Sequence, residues 1–217
     1  MTEPATRIIV IRHGETDWNV AARVQGQLDI GLNPTGHWQA RRLARALADE
    51  RFDAIYTSDL VRAHQTAHVL ARQAGLEART VPGLRERGFG VFEGLTFAEI
   101  EQRFPEQSRR WRRRDASFGP DGGEILQSFH DRVVAAASAL AALHRGQHIV
   151  LVAHGGVLDA LYRAAARVAL DAPRSWQLGN ASVNRLLASD DGLALVGWGD
   201  TAHLDDPSPG AIDVSAA

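Results

Sequence analysis

His148-Ile149-Val150-Leu151-Val152-Ala153 runs straight into His154-Gly155-Gly156. The apolar run is rich in β-branched residues and too short to span a membrane, the pattern of a strand buried on both faces. Arg7-Ile8-Ile9-Val10-Ile11 has the same character and stops as abruptly at Arg12-His13-Gly14. Strands of this kind belong to parallel sheets covered by helices. Helical spacing of Trp38, Leu43, Ala46 and Leu47 predicts a helix from Pro34 to about Glu50. Asp53 to Thr57 reads as a further strand, followed by a helix from about Leu60 to Ala74. Thr80-Val81-Pro82 reads as an edge strand, because proline donates nothing to a ladder. Leu126 to Leu143 reads as a long alanine-rich helix. Ser182 to Ala188 and Leu193 to Trp198 read as two closing strands about the turn Asp190-Asp191-Gly192. The alternation predicts an α/β fold, a three-layer αβα sandwich with a largely parallel sheet. Residues 84–124 read as an irregular segment.

Composition narrows the chemistry. The chain has 217 residues, 45% of them hydrophobic, enough to build a globular core. A domain over residues 1–203 is expected, with a disordered tail from 204 to 217. Basic residues number 24 against 26 acidic ones, so a general polyanion-binding surface is not expected, and no nucleic-acid partner. There is no cysteine, which removes disulfides, thiolate metal sites and cysteine nucleophiles together. Every basic residue is arginine, which removes lysine chemistry such as a Schiff base or a Walker-type phosphate ligand. The polar stretch Met1–Arg7 and the short run Ile8–Ile11 form neither a signal peptide nor a membrane span, so no membrane partner and a cytoplasmic location are expected.

In open α/β sheets, ligands sit beyond the carboxyl ends of the strands. Arg12-His13-Gly14-Glu15-Thr16 and His154-Gly155-Gly156 each place a histidine followed by glycine there, and glycine lets backbone approach a ligand closely. Thr57-Ser58-Asp59-Leu60-Val61-Arg62 puts Arg62 in the first turn of a helix at the same edge, where anions are favoured. Leu84-Arg85-Glu86-Arg87 adds a carboxylate flanked by arginines. Two histidines, two arginines and a carboxylate are what phosphoryl transfer through a histidine requires: a nucleophile, cations for the oxygens and an acid for the leaving group. Glu93 and Glu15 read as loop and turn residues. His64 and His68, four apart on a helix, lack the glutamate base of a metalloprotease. Gly88-Phe89-Gly90 lacks the strand and third glycine of a dinucleotide fingerprint.

Over about residues 7 to 200 the chain resembles the histidine phosphatase superfamily, also called phosphoglycerate mutase-like. The resemblance rests on Ile11-Arg12-His13-Gly14-Glu15-Thr16 with Trp18-Asn19, on Gln25-Gly26 with Asp29, Leu32, Thr35 and Gly36, and on Thr57-Ser58-Asp59-Leu60 with Arg62 and Thr66. Leu84-Arg85-Glu86 with Gly90 and Glu93-Gly94, and Ala153-His154-Gly155-Gly156-Val157, complete it. It implies His13 as the nucleophile that becomes phosphohistidine, with Arg12, Arg62 and His154 on the phosphoryl oxygens. Glu86 would protonate the leaving oxygen and then take a proton from water. Asn19, Gln25, Gly26 and Gly155 would lie on the substrate side. No metal and no cofactor are implied. Dimers are common in this fold family, so a homodimer is among the expectations.

The resemblance implies a phosphomonoesterase for a small phosphorylated metabolite. The alternative is a cofactor-dependent phosphoglycerate mutase. For it speaks Trp111-Arg112-Arg113, similar to the stretch with which those mutases hold a substrate carboxylate, which makes Arg112 and Arg113 candidate substrate ligands. Against it speak the short stretch between Arg114 and Glu124, where mutases carry a longer lid, and Gly156, where they carry asparagine. Gly122-Gly123-Glu124 matches an element of the phosphatase branch, with Ile125 where serine is usual. The rest of Arg109–Arg114 reads as a solvated helix face. An inactive binding or regulatory protein on the same fold would be marked by loss of His13, Arg62 or His154, and none is lost.

Overall fold

In the computed structural model, which describes residues 4–205, the two unbroken apolar runs lie side by side at the centre of the sheet. Strand β1 (Thr6–Arg12) pairs in parallel with β4 (His148–Ala153), Arg12 standing opposite Ala153. Beyond β4 lie β2 (Ala54–Thr57) and the three-residue β3 (Ala78–Thr80), both parallel. On the other side β5 (Val183–Ser189) and β6 (Gly192–Asp200) are antiparallel, giving the order β3-β2-β4-β1-β5-β6.

Period-2 alternation sends the central residues to opposite faces. Ile8 and Val10 pack with Phe129, Val133, Leu158 and Leu161 of α6 (Leu126–Leu143) and α7 (Gly155–Ala166). Ile9 and Ile11 pack with Leu43, Ala63, Ala67 and Leu70 of α2 (Pro34–Ala46) and α3 (Val61–Ala74). Helices therefore cover both faces, with the single-turn α1 (Asp17–Val20) following β1, and the sheet is parallel over four of its six strands. Among the described residues, no helix is long and apolar enough to cross a membrane.

Two expectations need correction. The proline at 82 does not sit in a strand. The strand ends at Thr80, and Pro82 opens a single 3-10 turn, Pro82–Leu84, where its fixed φ is an advantage. Residues 84–124 are also less irregular than expected, holding α4 (Phe97–Arg103) and α5 (Pro105–Arg112). Thr96 and Glu99 form a reciprocal capping box at the start of α4, and Pro105 occupies the first turn of α5. The segment folds over a small core of its own: Val24, Phe92, Ile100 and Phe118. Full burial of Phe92 and Ile100 stabilises it by about 1.5–3 kcal/mol each. At the chain's other end Leu204 closes a 3-10 turn, and the rest of the tail expected to be disordered, 206–217, lies outside the described residues.

Candidate active site

At the carboxyl ends of β1 and β4 the ladder continues for one more residue. The His13 N–H donates to Ala153 O at 2.9 Å, which sets His13 beside His154. Their ring centroids are 5.2 Å apart. The chain then leaves the sheet at Gly14, where a Cβ would press on Gly36 O at 2.6 Å, so only glycine fits between β1 and α2. The Gly14 N–H donates to Thr66 Oγ1, whose hydroxyl donates to Arg62 O. Thr66 thus ties the turn after β1 to the first turn of α3.

The His13 ring is buried, and its Nδ1 lies 2.7 Å from Gly14 O. A carbonyl can only accept, so Nδ1 carries the proton and Nε2 keeps its lone pair. Burial, reinforced by the charges of Arg12 and Arg62, holds the His13 pKa well below the usual histidine range. Burial and Arg62 do the same to His154. Both imidazoles are neutral at neutral pH. His154 is fully buried, and among the described residues neither ring nitrogen has a partner. Arg62 is equally buried: Nη1 donates to Leu28 O and Nη2 to Gly26 O, while among the described residues Nε finds no acceptor. Arg12 donates through Nη1 to Leu178 O, and its Nε likewise has no partner among the described residues. Burial pushes the Arg12 pKa down to about 10. Buried donors without acceptors are costly. Their convergence with two guanidinium groups gives this floor the chemistry of an anion site.

Glu86 lies on the loop after the Pro82–Leu84 turn. Arg132 of α6 donates to Gly83 O and Arg85 O while its guanidinium grips Glu124 at 2.8–2.9 Å. Arg85 turns the other way, onto Asp59. The Glu86 carboxylate accepts the Arg87 N–H on Oε1 and the Gly156 N–H on Oε2, at 2.8 and 3.0 Å. A Cβ at Gly156 would overlap Oε1. The second glycine after His154 is therefore required by the carboxylate that packs on it.

Arg12, His13, Arg62 and Glu86 line one cavity of about 670 Å3. Asn19, Gln25, Gly26 and Gly155 line it too. Asn19 has its Oδ1 engaged by the Thr16 N–H and by Asn180, whereas Gln25 Oε1 is buried with no partner among the described residues. Gly155 opens α7 with its backbone near the Arg12 guanidinium. Arg112 and Arg113 are not brought to the cavity. Arg112 pairs with Glu101 on the outer face of α5, and Arg113 is the exposed cap of that helix. Trp111 does line the cavity, stacked on Phe97 with an interplanar angle of 9°. Glu124 of the glycine-glycine-glutamate element is committed to Arg132 and the Gly88 N–H. Glu93 accepts the Gln27 and Phe89 N–H groups, and Glu15 accepts from Asn33.

Several wall residues were not expected from the sequence. Arg114, next after the two arginines that were, sits at φ 54 and turns inward. Its Nη2 meets Asp159 Oδ2 at 2.6 Å, and Arg163 meets the same oxygen at 3.0 Å. Arg87, Asp159, Arg174 and Trp176 also line the cavity. The one readable hint was the i,i+4 spacing of Asp159 and Arg163 on α7. Among the described residues, no group of three or more His, Asp or Glu side chains could hold a metal ion.

Comparison with known proteins gives one consistent answer. The family model described as histidine phosphatase superfamily, branch 1, matches residues 8–201. Phosphoglycerate mutase-like protein 4 of Arabidopsis thaliana is 40% identical over 205 residues, which are 92% of this chain and 87% of that protein. The metal-independent phosphoserine phosphatase of the same plant is 38% identical over 202 residues, 92% of this chain and 83% of that protein. A solved structure of mycobacterial glucosyl-3-phosphoglycerate phosphatase with VO3 superposes with a TM-score of 0.80, at 35% identity, over 90% of this chain and 99% of that one.

Proposed function

This chain belongs to the histidine phosphatase superfamily, and we propose that it hydrolyses the phosphate monoester of a small metabolite with His13 as nucleophile. The observation that carries the reading is the cluster of unpartnered buried donors, Arg12 Nε, Arg62 Nε and the His154 ring, beside a His13 whose Nδ1 is already committed. Such a floor lacks only an anion with several oxygens. The curated relatives include enzymes named for phosphoserine and for glucosyl-3-phosphoglycerate, both small phosphate esters.

The reaction divides into two displacements. In the first, His13 Nε2 attacks phosphorus and the bond to the leaving oxygen breaks, with Glu86 supplying the proton that oxygen needs. Arg12, Arg62 and His154 hold the phosphoryl oxygens as charge shifts among them. In the second, a water oxygen attacks the phosphohistidine, the N–P bond breaks, and the water's proton passes to Glu86. Each Glu86 oxygen accepts one backbone N–H, leaving a lone pair free for that proton. A positioned acid or oxyanion donor contributes about 10²–10⁴ in rate. Residues 84–124 supply one wall of the cavity through Phe89, Phe97 and Trp111.

Hydrolysis is favoured over mutation because neither candidate for a mutase carboxylate clamp reaches the cavity: Arg112 is paired outward with Glu101 and Arg113 is exposed at the end of α5. The stretch between Arg114 and Glu124 is turns alone, no long lid to keep water from a phosphoenzyme. The test is phosphate release from a panel of monoesters in the presence of chelator, with isomerised product followed in the same tubes. Release is expected for wild type and a loss on the order of 10⁶-fold for His13→Ala. Isomerisation of 3-phosphoglycerate with little free phosphate would replace this reading with the mutase.

A further inference from the structure

We infer that Asn180, in the loop before β5, is a positioning residue for the reaction: it holds Asn19 so that the Asn19 side-chain N–H groups face the cavity. What those N–H groups meet rests on the phosphatase reading, whereas the placement of Asn180 stands on its own bonds.

The loop is built onto the stretch of backbone that carries the nucleophile. Leu178 O accepts from the Arg12 guanidinium, and the Ala181 N–H donates to Arg12 O at 3.0 Å and to His13 O at 3.3 Å. Ala181 is fully buried at φ 54, a left-handed conformation that alanine adopts only at a cost. Such strain persists where surrounding contacts over-determine it. The bend leaves Asn180 between two groups far from it in sequence, His13 at the end of β1 and Asn19 in α1.

Donors and acceptors fix the orientation of both amides. His13 O can only accept, so the Asn180 atom 3.0 Å from it is Nδ2. The same nitrogen lies 3.3 Å from Asn19 Oδ1 and gives it the second hydrogen. The Thr16 N–H, which can only donate, lies 3.0 Å from that oxygen. Asn19 therefore cannot turn its amide over without setting donor against donor. Its Nδ2 has no hydrogen-bond partner among the described residues and is left for the cavity that Asn19 lines. An oxygen of the substrate meets N–H groups there that are oriented in advance. One amide thus ties donor and nucleophile together. Asn180 does not itself line the cavity, so it acts through Asn19.

A double-mutant cycle tests this, read as kcat/KM for phosphate release from an ester that the wild type hydrolyses. Asn19→Ala and Asn180→Ala are each expected to lower it about 10-fold. The double variant should also lose about 10-fold, where independent effects would multiply to about 100-fold. Should Asn180→Ala fail to fold, Asn180→Asp keeps the shape without an N–H, and its fold-loss must likewise shrink in the Asn19→Ala background. An Asn180 effect equally large with and without the Asn19 side chain, or no effect of Asn180→Ala, overturns the positioning role. If the wild type releases phosphate from no ester, the phosphatase reading fails, and the cycle is read instead on the Kd of inorganic phosphate by calorimetry with the same criteria. A wild type that neither hydrolyses an ester nor binds phosphate overturns both.

Discussion

Arg62 in the first turn of α3 and Arg163 in the last turn of α7 are withdrawn from water to the same depth, yet their surroundings differ in kind. Arg163 spends every donor direction inside the protein: Nε on Asp159, Nη1 and Nη2 on two carbonyls, and its face over the Trp176 ring 4.8 Å away. Arg62 has two carbonyls and, among the described residues, neither a carboxylate in contact nor an acceptor for Nε. Burial lowers its pKa, and Glu86, Asp29 and Glu93 counter that only from a distance. A buried arginine whose donors all meet protein acceptors serves the scaffold, and one with a donor to spare can serve a ligand. Burial alone does not distinguish them. The count of unused donors does.

The sharpest test exchanges each for methionine. Arg62→Met should lower kcat/KM by about 10²–10³ while moving the denaturation midpoint little, because the cost of an unpaired buried cation disappears with the lost hydrogen bonds. Arg163→Met should do the reverse. Loss of a buried pair destabilises by about 3 kcal/mol, with a much smaller fall in activity per folded molecule. If both variants unfold alike and lose activity alike, the comparison is broken.

Acid provides a smaller and finer test of the Arg62 region. His13 and His154 have folded pKa values well below the unfolded value of 6.5. Above pH 6.5 neither state binds a proton at these rings, so stability does not change on their account. Below it the unfolded chain takes up protons that the fold refuses. Stability should therefore fall, by about 1.4 kcal/mol per pH unit for each histidine, until the folded pKa values are reached. His148 and His203, also lowered by burial, add in the same sense. Urea midpoints between pH 7.5 and 5 check this. A His154→Asn variant should show the shallower slope, and equal slopes would remove His154 from the neutral pair.

Much of the fold was legible because two signals were strong. Ile149 to Ala153 could only be a buried strand, and the alanine-rich Leu126–Leu143 helix has the bounds read from the sequence. The floor of the site was legible for the same reason, since it hangs on strand ends and the first turn of a helix. The wall was harder. Helices α4 and α5 are under three turns each, and although Thr96 and Glu99 carry a capping signature, a short amphipathic stretch among glycines does not declare itself. Arg114 was hidden inside a run of like residues. Which of Arg112, Arg113 and Arg114 faces the cavity depends on the left-handed backbone at 114, and nothing local demanded that conformation of an arginine. Asp159 and Arg174 come from elements distant in sequence, so only the folded chain brings them to the same wall.

The pairing of β1 with β4 has one more consequence. Arg12 stands opposite Ala153, so His13 and His154 leave the sheet on the same rung, and the 5.2 Å between their rings follows the 4.7–4.9 Å repeat of neighbouring strands. That repeat is a property of the peptide hydrogen bond, common to every sheet. The two imidazoles are gauged by a ruler that no loop can stretch. Wall residues such as Phe97, Trp111 or Arg114 can be exchanged while the distance between the two rings stays where the backbone put it.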